Sequence, residues 1–199
     1  MPLTTPARHA RTALAAALLL GHATQSGAQT TVNCTPQQIT TIADAQSLIA
    51  GKVDGALIHV GQTPHFERWF GTYDAGRAAT VTSNLGMIRG YAMISQPEYT
   101  CIGAGQGSCT PGTLAYVAAG SSFEISLFPD FFSLGPVGTD TTWGTILHEM
   151  THFAMGPATG DECYGSVGVG SCLDLAIRNP AAAVTNADSY QYFVERAPF

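Results

Sequence analysis

The chain has 199 residues, of which 45% are hydrophobic and 11% charged, a balance that supports one packed domain and excludes a disordered chain. Eight Lys and Arg face fourteen Asp and Glu for a net charge of −6, which argues against a nucleic-acid binder.

Residues 1–28 stand apart from the rest. Arg8 and Arg11 form a basic start, Ala13 to Leu20 is an apolar run too short to span a bilayer, and Ser26-Gly27-Ala28 offers small residues for cleavage. This pattern predicts a secretory signal peptide over 1–28 and a single domain over 29–199. Without Arg8 and Arg11 that domain carries a net charge of −8. It has no apolar run suited to a membrane helix, so a monomer that uses neither membrane nor nucleic acid is expected. All five cysteines (Cys34, Cys101, Cys109, Cys163, Cys172) lie in it. Export makes disulfides the expectation, and the odd count leaves one cysteine over.

Pro36 to Ile58 has apolar residues at helical intervals, with Thr35 as cap and Pro36 in the first turn. Residues 66–70 and 75–94 also read as helical, broken at Gly71 and Gly86. Residues 101–111 are rich in Gly and polar residues, hence loop. Residues 113–118 and 123–127 read as two strands around Gly120-Ser121, the second a candidate edge strand for pairing with an extended peptide. A further helix is expected from Thr139 or Asp140, with Trp143, Ile146, Leu147, Met150 and Ala154 on a buried face and Gly156-Pro157 as its stop.

That helix carries His148-Glu149-Met150-Thr151-His152. Histidines four residues apart share a helix face and can ligate one zinc ion, with Glu149 beside them to act on a metal-activated water. A catalytic zinc takes a third protein ligand. Met155 and Ala158 stand where an extended zinc motif would place Gly and His. Asp161, beyond the turn, and the distant Glu195 remain, with Cys163 a lesser alternative. His59 and His65 have no metal-like spacing.

The second motif, Ala158-Thr159-Gly160-Asp161-Glu162-Cys163-Tyr164-Gly165, resembles the Gly-Thr-x-Asp-x-x-Tyr-Gly of the deuterolysin family of zinc endopeptidases, the aspzincins, which includes fungal peptidyl-Lys metalloendopeptidases. Only the leading Gly differs. Trp69-Phe70-Gly71-Thr72-Tyr73 with Arg77, Gly138-Thr139-Asp140 and Asn186-Ala187-Asp188-Ser189-Tyr190 are similar to the family as well.

The resemblance implies an α+β, zincin-like fold, mainly helical, with a small antiparallel sheet and an active-site helix carrying the His-Glu-x-x-His motif. It implies one catalytic Zn2+ on His148, His152 and Asp161. Glu149 becomes the general base and Tyr164 an oxyanion donor. Glu162 is then a solvated neighbour. Protein or peptide substrates follow. Asp188 matches a residue that binds substrate lysine on the leaving side of the cut bond. Gln191 is neutral where the lysine-specific relatives have an acid, so a bias to basic residues is expected rather than strict selection. Cys34 with Cys101 fits the family's long-range bridge, Cys163 with Cys172 would close a small loop, and the partner of Cys109 stays open. A zinc peptidase using Glu195 and a non-catalytic secreted zinc-containing binding protein are the competing readings.

Overall fold

The computed structural model describes residues 29–198 except Ser95, residues 107–110, Ser122 and Ala154. The expected signal peptide and Cys109 lie outside the described residues.

A short strand, β1 (Thr31–Val32), leads into the long helix α1 (Pro36–Leu57). Thr35 and Gln38 form a reciprocal capping box at its start, which satisfies N–H groups the first turn leaves unpaired. Helix α2 (Pro64–Phe70) is capped by Thr63, and α3 (Ala75–Met93) by Asp74. Gly86 does not break α3. Val81, Leu85 and Ile88 are fully buried on one face of it, and that packing outweighs the cost of about 1 kcal/mol that a mid-helix glycine carries.

Strands β2 (Glu98–Cys101), β3 (Ala115–Tyr116) and β4 (Glu124–Leu127) complete a four-stranded sheet in the order β1-β2-β4-β3. The expected hairpin is present, with β3 antiparallel to β4. The sheet as a whole, however, is mixed rather than antiparallel, because β1 pairs β2 and β2 pairs β4 in parallel. Long crossovers, helical between β1 and β2, make parallel pairing possible, and a two-residue strand leaves no periodic trace in sequence. The edge assignment is also corrected. Ile125, Ser126 and Leu127 are buried between neighbours, so the strand within 123–127 is interior. The edges are β1 and β3, and β3 is the one that lines the cleft described below.

A disulfide between Cys34 and Cys101 ties the α1 entry to the end of β2. Helix α4 (Thr142–Thr151) runs through the core with all ten residues buried. It packs against α1, α3 and the last helix, α7 (Ala187–Glu195), while α5 (Cys172–Arg178) and α6 (Pro180–Ala183) cover α2.

Thr141, not Thr139 or Asp140, caps α4, its hydroxyl accepting from Gly144 N–H at 2.9 Å. Asp140 instead holds a left-handed turn with φ 54°. The Glu195 carboxylate closes over this entry. It accepts from Asp140 N–H (3.1 Å), Thr141 N–H (2.8 Å) and the Thr141 hydroxyl (2.8 Å). Its negative charge also complements the helix dipole there.

Gly144 leaves room for that carboxylate, since a Cβ at this position would overlap Glu195 and Thr141, whereas a Cβ on Gly86 meets open space. Gly144→Ala should therefore destabilise the fold by about 1–3 kcal/mol. Gly86→Ala should stabilise it by about 0.5–1 kcal/mol. Urea unfolding midpoints of the two variants should move in opposite directions.

Candidate metal centre and active-site cleft

His148 and Glu149 project from the last turn of α4, and His152 is its C-cap residue. The helix thus ends at the second histidine, before Gly156-Pro157, because the following chain turns back over it. Ala158 sits in the left-handed region at φ 49°, where a glycine would adopt the conformation without the Cβ penalty. The returning segment is then pinned to the helix. Thr159 N–H donates to Thr151 carbonyl at 3.0 Å, and their hydroxyls meet at 2.5 Å.

This return brings Asp161 over the histidines. Its Oδ1 lies 3.3 Å from His148 Nε2 and 3.5 Å from His152 Nε2. Two ligands bound to zinc at about 2.0–2.2 Å in a tetrahedron are separated by about 3.3–3.6 Å, so the spacing fits a metal. Among the described residues, these three form the group of His, Cys, Asp or Glu side chains able to hold an ion. Glu195 is not among them, being committed to the opposite end of α4, and Glu162 is exposed. Cys163 is bonded to Cys172 and is not a ligand.

The outer nitrogens of both imidazoles are also held. His148 Nδ1 lies 2.6 Å from Asp188 Oδ1, and His152 Nδ1 lies 2.9 Å from Thr159 carbonyl. Such partners place the proton on Nδ1 and leave Nε2 as the electron-pair donor. Burial opposes charge on His148, yet the hydrogen bonds with Asp161 and Asp188 outweigh it and push its pKa up to about 10. The centre therefore draws positive charge into the gap between these side chains. Burial lowers the pKa of His152, which favours the neutral ligand form. Burial raises that of Asp161, but the His148 hydrogen bond and the two imidazoles overcome this and hold it below the usual range.

Glu149 is 5% exposed. Burial pushes its pKa up to about 7. One carboxylate oxygen receives the Val117 N–H from the segment after β3, while Oε2 is buried with no hydrogen-bond partner among the described residues. Tyr164 is 65% exposed, with its ring stacked 6.5 Å from that of His148 and its hydroxyl bonded to Asp161. Burial and the nearby Asp161 charge push its pKa up to about 12, so the phenol is a donor at neutral pH.

Asp188, in the first turn of α7, is 5% exposed. Besides Oδ1 on His148, its Oδ2 accepts from Gly165 N–H at 2.9 Å. One residue escaped the sequence reading. Asn186 is fully buried, and its Oδ1 accepts from Glu162 N–H (2.7 Å) and Cys163 N–H (3.0 Å), which fixes the backbone that carries Asp161. A backbone bridge between Gly160 and Asn186 adds to this. Its place two residues before Asp188 in a quoted motif was the available signal.

These groups line a cleft of about 850 Å³, with residues 112–119 on one wall and Asp140, Gln191 and Tyr192 on another. His59 and His65 lie elsewhere, bonded to Pro198 and Phe193 carbonyls.

Comparison with known proteins places the chain in a family. Residues 56–195 match the aspzincin M35 family, described as lysine-specific metallo-endopeptidase. The peptidyl-Lys metalloendopeptidase of Pleurotus ostreatus is 34% identical over 155 residues, 77% of this chain and 86% of that protein. An extracellular protease of Aeromonas hydrophila is 32% identical over 134 residues, 67% of this chain but 36% of that protein. The solved zinc peptidase from Grifola frondosa superposes with a TM-score of 0.72 at 30% identity, covering 82% of this chain and 97% of that one. The chain therefore belongs to the aspzincin family and is a zinc metalloendopeptidase.

Proposed function

We propose that this chain is a secreted endopeptidase that cuts proteins by water attack at the α4 site, with His148, His152 and Asp161 as zinc ligands and Glu149 as general base. The observation that carries the reading is the convergence of three candidate ligand atoms on one cleft with a buried oxygen of Glu149 that has no partner among the described residues. Two disulfides suit an oxidising compartment, and one relative is named an extracellular protease.

Zinc in that position supplies Lewis acidity and a water acidified toward a pKa of about 7. Glu149, with a pKa near 7, is matched to accept a proton from that water and return it to the leaving amine. Its second oxygen keeps it in place through Val117 N–H. Tyr164 rests on Asp161 and can swing its hydroxyl toward the developing oxyanion, since most of its surface faces solvent. An extended peptide can add to the exposed edge at β3, where unpaired backbone groups run along the cleft wall. Asp188 holds His148 and the Gly165 backbone, so its charge reaches the leaving side only indirectly. With Asp140 on the same wall and Gln191 neutral, a modest bias to basic residues after the cut is the expected specificity.

Glu149→Gln should lower casein hydrolysis by at least about 10²-fold while zinc stays stoichiometric. Asp161→Ala should lose zinc, and an undiminished metal content there overturns the ligand set. Peptide mass spectrometry of a digested protein mixture should show Lys and Arg enriched after the cut; a flat distribution removes the basic bias.

Asp188→Asn should weaken zinc affinity by about 10–100-fold in a chelator competition. If affinity holds and the Lys preference alone disappears, Asp188 is a substrate residue instead. Tyr164→Phe should lower kcat by about 10²–10³-fold with little change in KM. An equal rise in KM would point to substrate binding rather than oxyanion stabilisation.

A further inference from the structure

A second cavity, of about 270 Å³, shares no lining residue with the cleft and is lined by His65, Arg68, Trp69, Ser166, Val167 and Arg196. Its chemistry differs from that of the cleft. No carboxylate lines it, and every polar side chain in it can donate a hydrogen bond.

Residues 29–199 contain only six basic side chains within an acidic domain. Arg89 and Arg178 are paired with Asp54 and Asp174. Arg77 donates to the Thr72 carbonyl, and Lys52 lies over the Trp143 ring. Arg68 and Arg196, by contrast, have no carboxylate partner among the described residues, and both reach this one cavity. Arg196 donates to the Thr139 hydroxyl, and Arg68 lies 5.7 Å over the Trp69 ring. Two guanidiniums that line one concavity with no carboxylate partner among the described residues favour negative charge between them.

Trp69 supplies an independent observation. Its side chain is buried and stacks on Tyr192 at 5.4 Å, yet its indole N–H has no hydrogen-bond partner among the described residues. Buried donors are nearly always satisfied, so an orphan donor on a residue that lines a cationic cavity marks a place where an incoming acceptor has an unmet partner within the same side chain. Ser166 adds a hydroxyl. His65 uses Nε2 on the Phe193 carbonyl, and burial lowers its pKa, so Nδ1 stays an acceptor and the donors to an anion are the guanidiniums and the Ser166 hydroxyl.

We infer that this cavity is an oxyanion site, separate from the metal centre, that takes a carboxylate or a tetrahedral anion of the sulfate or phosphate type between Arg68 and Arg196. The planar forks of two arginines suit either group. The site adjoins the cleft, because Ser166 follows the cleft residues Tyr164 and Gly165, and Trp69 stacks on the cleft residue Tyr192. An acidic side chain of a bound protein and a free anion are the two sources of that chemistry.

Calorimetric titration at constant ionic strength decides the matter, with sodium sulfate in one arm and an acetylated, amidated Gly-Glu-Gly peptide in the other. The zinc-loaded and chelator-stripped proteins should bind with the same Kd, because the ligand does not touch the metal. Arg68→Gln/Arg196→Gln should weaken binding at least tenfold. Trp69→Phe, which keeps the stacking ring and removes only the N–H, should weaken it several-fold even if the double variant fails to fold. Tighter binding of the peptide identifies an acidic side chain as the ligand, and tighter binding of sulfate a free anion. Absence of saturable binding in both arms, affinity unchanged in the variants, or binding lost with the metal overturns the inference.

Discussion

Helix α7 holds α4 by two carboxylates, and the rest of the site depends on that grip. Asp188 and Glu195 are seven residues apart and so lie on one face of α7, two turns from each other. Glu195 closes over the N-terminal entry of α4, while Asp188 reaches His148 near its C-terminal end. The two helices therefore run antiparallel, with the cleft residues Gln191 and Tyr192 between the two anchor points. The result sets the rotation of α4 about its axis, and with it the direction in which both imidazoles point.

The same logic extends to Asp161, the proposed third ligand. Asp161 lies in a segment without regular structure, and a carboxylate on a loose loop would not hold position. Backbone and buried polar contacts replace helix geometry there. Thr159 ties the segment to Thr151 and His152, Asn186 gathers the Glu162 and Cys163 N–H groups, and a disulfide to Cys172 closes the loop behind. Each of these groups is buried or partly buried, where a missing partner is costly, so they reinforce one another. The departure at Ala158 costs the turn a left-handed alanine without unseating Asp161. Electrostatics follow from this enclosure. Burial keeps His152 neutral and moves Glu149 toward a pKa of about 7, whereas the carboxylates around His148 draw positive charge into the centre.

Much of the site was legible in sequence because metal chemistry restricts both residue type and spacing. Histidines one turn apart meet on one helix face, and Asp161 with Tyr164 followed at a distance that resembled a known family. The long helices were legible for a similar reason, since α1 repeats its apolar residues at helical spacing and carries a capping box at its start. Gly86 misled because local propensity was outweighed by packing of Val81, Leu85 and Ile88. The sheet was read incompletely, since two-residue strands such as β1 and β3 have no periodicity and their pairing depends on where crossovers place them. Asn186 was overlooked because a buried amide that binds backbone looks no different in sequence from a surface one.

The sequence by itself determined the candidate metal ligands, the candidate base at Glu149, the principal helices and the competition between Asp161 and Glu195. Those properties rest on local spacing and on the chemistry of individual side chains. Only the tertiary structure decided that Glu195 caps α4 while Asp161 joins the histidines, that Asp188 braces His148, that β3 and not β4 is the edge beside the cleft, and that Arg68 and Arg196 share a cavity. Each of these depends on contacts between residues far apart in the chain, which exist only once the helices and the sheet have packed.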